Sequence, residues 1–137
     1  MVLKNYSNNT IYNIIALIID SNRRYLKTVK LPCNNLTINV VNLLLRSNQI
    51  CGYRVYTAGT QNYVAVSLRY PENKPKLFSL SFVSKPSRRV YFSAAYLRSS
   101  MIKSRSSIFI LSSSYGLISG AEALLLNSGG EVICVLN

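Results

Sequence analysis

The sequence predicts an α+β protein of two small packed lobes. An N-terminal lobe in the order α-β-α-β-β spans residues 1–71, and a β-rich C-terminal lobe spans residues 72–137. Three observations carry this reading. Ile11, Ile14, Ile15, Ile18 and Ile19 fall at i, i+3, i+4, i+7 and i+8, the stripe of an amphipathic helix. Phe78, Leu80 and Phe82 alternate with Ser79 and Ser81, the period of a half-buried strand. Between the two patterns, Pro71 to Pro75 concentrates two prolines, an asparagine and charged residues, and so marks the boundary.

In chain order, Asn9-Thr10 can cap the first helix, because their side-chain oxygens accept free N–H groups of its first turn. Isoleucine is a mediocre helix former, so burial must stabilise this helix. A basic strand follows from Arg23 to Leu31, with Val29 and Leu31 as its apolar face, and Pro32 ends it. Asn34 or Asn35 caps a second helix running to about Ser47. Leu36, Val40, Leu43 and Leu44 form its stripe, with Asn39, Asn42 and Arg46 on the wet side. Strands at Tyr53–Tyr56 and Tyr63–Arg69 flank a turn containing Ala58-Gly59.

In the second lobe, Ser84-Lys85-Pro86-Ser87 makes a turn and Val90-Tyr91-Phe92 resumes a strand. Ala94 to about Lys103 reads as a short helix and loop, and Ser99 to Ser107 as a serine-rich loop. Ile108 to Leu111 is strand-like and enters a hydroxyl-rich turn, Ser112-Ser113-Ser114-Tyr115-Gly116. Gly129-Gly130-Glu131 opens a last apolar run, Val132 to Leu136.

Composition narrows the function. Sixteen Lys and Arg stand against four Asp and Glu, a net charge of +12. An excess of this size serves a polyanion, nucleic acid first and an anionic membrane surface second. The charge is spread along the chain beside apolar runs, as in Arg23-Arg24 and Arg88-Arg89, which suits a folded basic body and not a basic tail. Hydrophobic residues make up 49% of the chain, high for a nucleic-acid binder, and imply surface buried against protein neighbours. Met1 to Asn9 has no secretory pattern, and the run Ile14 to Ile19 is far short of the roughly 20 residues a membrane span needs.

Catalysis and metal binding find little support. The chain has no histidine, and its carboxylates are Asp20, Glu72, Glu122 and Glu131. None of its serines sits in a G-x-S-x-G elbow or beside an evident base, and no phosphate-cradling glycine pattern is present. Cys33, Cys51 and Cys134 are odd in number and far apart, with no C-x-x-C pair. They read as reduced, small core residues, with no metal and no cofactor.

The C-terminal third resembles the S8 family of small-subunit ribosomal proteins, bacterial type. That family reads S-T-S-x-G, then a short helix, then G-G-E before an apolar strand. Ser112, Ser114, Gly116, Gly129, Gly130, Glu131 and Cys134 fall on it in register. Ser84-Lys85-Pro86-Ser87-Arg88-Arg89-Val90-Tyr91 resembles its S-K-P-G-L-R-V-Y. The N-terminal half matches more loosely. Asn9-Thr10-Ile11 stands where the family has D-P-I, and Pro32-Cys33-Asn34-Asn35-Leu36 where it has P-x-S-K-L.

The resemblance implies a non-enzymatic scaffold that binds the central domain of small-subunit ribosomal RNA early in assembly. Short hydroxyl side chains at Ser112, Ser113 and Ser114 suit the 2′-hydroxyls of a wide, shallow A-form minor groove, and Gly116 lets the backbone come close. Lys85, Arg88 and Arg89 would neutralise phosphates, Tyr91 would stack on a base or pack in the core, and Tyr115 belongs to the same turn. Glu131 would accept from RNA or from a neighbouring backbone. The alternative is a basic peripheral membrane-surface protein, or an RNA binder outside the ribosome.

The departures matter as much. The family's Lys before the loop glycine is Tyr115, its Lys in P-x-S-K-L is Asn35, and its basic T-D-K-x-A-R stretch is Ser119 to Leu124. Lost positive charge, with a bias to Asn, Ile and Tyr, points to a fast-diverging organellar ribosome: the mitochondrion first, the plastid as the alternative. Successive helical residues point about 100° apart, so Leu124, Leu125 and Leu126 cannot all face one core. A contact with a neighbouring ribosomal protein is expected there.

Overall fold

The computed structural model describes residues 2–74, 80–84, 87–104 and 107–136. The fold is α+β, and the chain divides into two compact units, residues 1–78 and 79–137. The Pro71–Asn73 segment, which the proline spacing marks as a boundary, is a tight turn inside the first unit, with Glu72 and Asn73 at left-handed φ of 54° and 61°. The residue before it is anchored there: the Tyr70 hydroxyl donates to the Leu26 carbonyl, and its ring stacks on Tyr25 with centroids 5.6 Å apart.

The first unit follows the expected order: α1 (Val2–Arg23), β1 (Thr28–Pro32), α2 (Asn35–Arg46), β2 (Ile50–Ala58) and β3 (Gln61–Leu68). The strands form one antiparallel sheet in the order β1-β3-β2. Ile11, Ile14, Ile15, Ile18 and Ile19 are all buried. A fully buried aliphatic side chain contributes about 1.5–3 kcal/mol, against a helix-propensity cost of at most about 0.7. Burial therefore decides that this isoleucine-rich stretch is helical.

Helix α1 begins at Val2, not at Asn9-Thr10, which lie inside it. No glycine or proline interrupts Val2 to Asn9, and each residue added to an existing helix gains a backbone bond without a new nucleation cost. Arg23 and Arg24 close the helix instead of starting a strand. Arg24 N–H donates to the Asp20 carbonyl, Tyr25 takes a left-handed φ of 60°, and Leu26 N–H reaches back to the Ser21 carbonyl. Helix α2 begins as expected: the Asn34 side chain accepts from Thr37 N–H at 2.8 Å. Its buried face is Thr37, Val40, Val41, Leu43 and Leu44, with Leu36 only half-buried. Both helices lie against the sheet face that carries Val29, Leu31, Val64 and Val66.

The second unit runs β4 (Leu80–Phe82), β5 (Tyr91–Phe92), α3 (Ala94–Lys103), β6 (Ile108–Ser113), β7 (Gly116–Ser119), α4 (Gly120–Leu125) and β8 (Gly130–Leu136). Its antiparallel sheet has the order β4-β8-β6-β7, with β5 also paired to β8. Phe78, part of the expected alternating strand, lies outside the described residues. Helix α3 is complete to Lys103, so Ser99 and Ser100 are helical and not loop. Ser93 caps it by accepting from Tyr96 N–H at 3.3 Å. Helix α4 carries a capping box, Ser119 Oγ accepting from Glu122 N–H while the Glu122 carboxylate accepts from Ser119 N–H. Leu97, Phe109, Leu111, Ile118, Ala123 and Val132 form the core between these helices and the sheet.

Of the three cysteines only Cys134 is core; Cys33 is half-buried and Cys51 exposed. Burial pushes the Cys134 thiol up to about 12, so almost none of it is the reactive thiolate at neutral pH. Iodoacetamide should alkylate Cys51 in the native protein and reach Cys134 only after denaturation, as read by peptide mass spectrometry. Alkylation of Cys134 at the native-state rate of Cys51 would contradict its burial.

Candidate nucleic-acid interface

The hydroxyl-rich segment forms the β6–β7 hairpin. Ser113 pairs with Gly116, which leaves Ser114-Tyr115 as a two-residue turn. Ser113 holds that turn together: its hydroxyl donates to the Gly116 carbonyl at 3.3 Å and accepts from Tyr115 N–H at 3.1 Å. Gly116 has φ 97°, a conformation that a side chain would strain, with open space where a Cβ would stand. Ser114 and Tyr115 are exposed, and Ser112 is half-buried at the hairpin base. The three serines therefore differ: Ser113 is used internally, and Ser114 faces solvent.

Strand register brings distant residues into one cross-strand row. Tyr91 of β5 pairs with Glu131 of β8, Glu131 with Ser112 of β6, and Ser112 with Leu117 of β7. Tyr91 is 62% exposed, which excludes a core role for its ring in this chain. At the same level two glycines permit close backbone approach. A Cβ on Gly129 would meet the Phe92 carbonyl oxygen at 2.4 Å, and one on Gly130 would meet the Ser112 carbonyl oxygen at 2.7 Å. The G-G-E sequence is thus a packing requirement of this sheet as well as a turn.

Glu131 is 1% exposed and accepts from Arg89 Nη1 at 2.8 Å. Arg89 is itself mostly buried, so the guanidinium expected at a phosphate is engaged inside the protein. The Glu131 carboxylate, expected to accept from RNA or from a neighbouring backbone, accepts from the Arg89 side chain. Arg88 is exposed, and Lys85 lies outside the described residues. Ser84, in sequence merely one residue of a turn, is fully buried. Its hydroxyl donates to the Val132 carbonyl at 2.6 Å and accepts from Val90 N–H at 3.0 Å, closing the loop between β4 and β5 onto β8. A serine seven residues before a strand gives no signal of this by itself.

At the far side of helix α4, Leu124 packs against the core while Leu125 is 87% and Leu126 45% exposed. As the spacing required, the three leucines cannot share one face. Among the described residues no three metal-ligating side chains cluster, and no helix is long and apolar enough to cross a membrane.

Two α+β units, the second carrying a hairpin that displays the Ser114 hydroxyl and the Tyr115 ring, define a scaffold of the ribosomal-protein type. The chain belongs to the ribosomal protein S8 family, whose model matches residues 9–136. It is 31% identical to the small ribosomal subunit protein uS8c of Cuscuta obtusiflora, over 95% of this chain and 98% of that protein. It is 31% identical to uS8 of Mycoplasmopsis pulmonis (strain UAB CTIP), over 92% of this chain and 94% of that one. To uS8 of Dictyoglomus turgidum it is 32% identical, over 92% and 95% of the two chains. Proteins of this family are structural, and this chain is not an enzyme.

The buried ion pair yields a stability test. Arg89→Ala would remove the cation that faces the buried Glu131 carboxylate, a loss of about 3–5 kcal/mol in chemical denaturation. Arg88→Ala, at an exposed position, should stay within about 0.5 kcal/mol of wild type. Equal effects of the two substitutions would mean that the pair does not organise this region.

Proposed function

We propose that the chain is a structural constituent of the small ribosomal subunit that binds the central domain of its RNA and supports assembly. The β6–β7 hairpin carries this reading: Ser114 and Ser112 offer hydroxyls at a turn whose backbone Gly116 leaves open. In an A-form minor groove these groups meet 2′-hydroxyls and base edges. Arg88 and Lys85 neutralise phosphates, and the exposed Tyr91 ring offers a stacking surface. Ser113 and Tyr115 shape the turn, while Arg89 and Glu131 act from within, fixing the strand that carries the row. The net charge of +12 and family membership over residues 9–136 support the same reading.

The ribosome is organellar in this proposal. Mitochondrial residence accounts for the loss of basic residues at Asn35, Tyr115 and Ser119 to Leu124, with the rise in apolar ones. Residence in a plastid is the second reading, favoured by the similarity to uS8c proteins. Immunogold labelling or organelle fractionation of the source cells separates the two.

Where the family's basic stretch gives way to Ala121 to Leu126, AEALLL, a neighbouring ribosomal protein replaces RNA. Leu125 and Leu126 are the contact, since both are exposed, at the last residue of α4 and the one that follows it. A photoreactive side chain placed at Leu125 should cross-link to a polypeptide in the assembled subunit. Cross-linking to RNA alone, or to nothing, would overturn this part.

The RNA contact is tested on the cognate RNA fragment. Replacing Ser112 and Ser114 together by Ala should weaken binding by about 1–3 kcal/mol, at about 0.5–1.5 per net hydrogen bond. Arg88→Ala should reduce the slope of log K against log salt by about 0.7–0.9. Unchanged affinity with an intact fold would exclude the hairpin as the contact.

A further inference from the structure

The three-stranded sheet of the first unit has a second face. Residues alternate along a strand, so the neighbours of the buried Val29, Leu31, Val64 and Val66 point away from the helices. Register aligns them into rows. Lys30 of β1, Ala65 of β3 and Arg54 of β2 form one row, and Pro32, Tyr63 and Tyr56 form the next.

These rows carry a specific combination. The Tyr56 and Tyr63 rings lie with centroids 5.9 Å apart, tilted by 30°. The Lys30 ammonium stands 4.0 Å from the Tyr63 ring centroid. Lys30 and Arg54 are exposed on either side of Ala65. Small residues continue the face: Gly52, Ala65 and Ser67, with Thr28 and Arg54, line a depression of about 500 Å³. None of the chain's carboxylates, Asp20, Glu72, Glu122 and Glu131, lies in these strand positions. Cross-strand pairing explains why two rings lie together, since such pairs stabilise a sheet by about 0.2–1 kcal/mol. It does not explain two cations around them and no acid.

We propose that this face binds a single-stranded segment of RNA, with an unpaired base stacking at the Tyr56–Tyr63 pair and its phosphates held by Lys30 and Arg54. Rings flanked by cations suit single strands, because every unpaired base offers a π-face and the backbone brings regular negative charge. A duplex keeps its bases stacked internally and offers no such face. The depression beside Arg54 has room for a neighbouring nucleotide, with the Thr28 and Ser67 hydroxyls on its wall. This site lies in the first unit and is separate from the hairpin contact proposed above.

The test uses the full chain and fluorescein-labelled decauridylate, followed by anisotropy across a salt series. Replacing Tyr56 and Tyr63 together by Ala should weaken decauridylate binding about tenfold or more, while Phe at both positions should stay within about twofold of wild type. Lys30→Ala with Arg54→Ala should flatten the salt slope by about 0.7 for each phosphate that is no longer neutralised. Both cations are exposed, so this second variant keeps the proposal testable if the tyrosine variant does not fold. The cognate rRNA fragment should bind the tyrosine variant as it binds wild type, so the two surfaces stand or fall independently. Wild-type decauridylate affinity in a folded Tyr→Ala variant would overturn the proposal. So would an unchanged salt slope in the lysine–arginine variant, or a protein partner cross-linked to Tyr56 in the assembled particle.

Discussion

The second unit depends on one strand, β8, being gripped along its whole length. It pairs with β4, β5 and β6, and Val132, Ile133, Cys134 and Leu136 have no exposed surface. A strand in that position must satisfy its backbone locally and admit neighbours closely at its start. Gly129 and Gly130 provide the close approach to Phe92 and Ser112. Glu131 provides a buried charge whose compensation by Arg89 orders the segment before β5. Ser84 closes the same loop onto the Val132 carbonyl. The hydroxyl hairpin is therefore displayed from a scaffold whose registration follows from β8.

Much of the architecture is legible in the sequence because periodicity and burial agree. The five isoleucines of α1 sit where their spacing puts them, and Asn34 caps α2 as its position suggests. What is not legible depends on contacts distant in sequence. Nothing local marks Tyr25 as a left-handed helix stop, or Tyr70 as the residue that donates to Leu26. Helix α3 is ambiguous in sequence because its composition is mixed and only Leu97 is fully buried. The α4 capping box is present in Ser119-Gly120-Ala121-Glu122 and is readable from that spacing.

The site divides in the same way. Family-like order locates Ser112 to Gly116, Arg88-Arg89 and Gly129 to Glu131, but residue type alone does not assign their parts. Arg88 and Arg89 are adjacent and chemically identical, and only the fold commits one to Glu131 and leaves the other exposed. Ser113 differs from Ser114 only in its place in the hairpin. The Lys30, Arg54, Tyr56 and Tyr63 cluster is invisible in sequence because its members come from three strands and meet only through register. The AEALLL segment shows the reverse: helical geometry alone requires an outward leucine, and Leu125 is the one most exposed.

The central claim is that the β6–β7 hairpin meets RNA through its hydroxyls. A density map of the small ribosomal subunit from the source tests it most directly. The account predicts Ser112 and Ser114 within hydrogen-bonding distance of minor-groove 2′-hydroxyls or base edges, with the Arg89–Glu131 pair intact behind them. A hairpin standing in solvent or packed on protein, with RNA elsewhere, would contradict it.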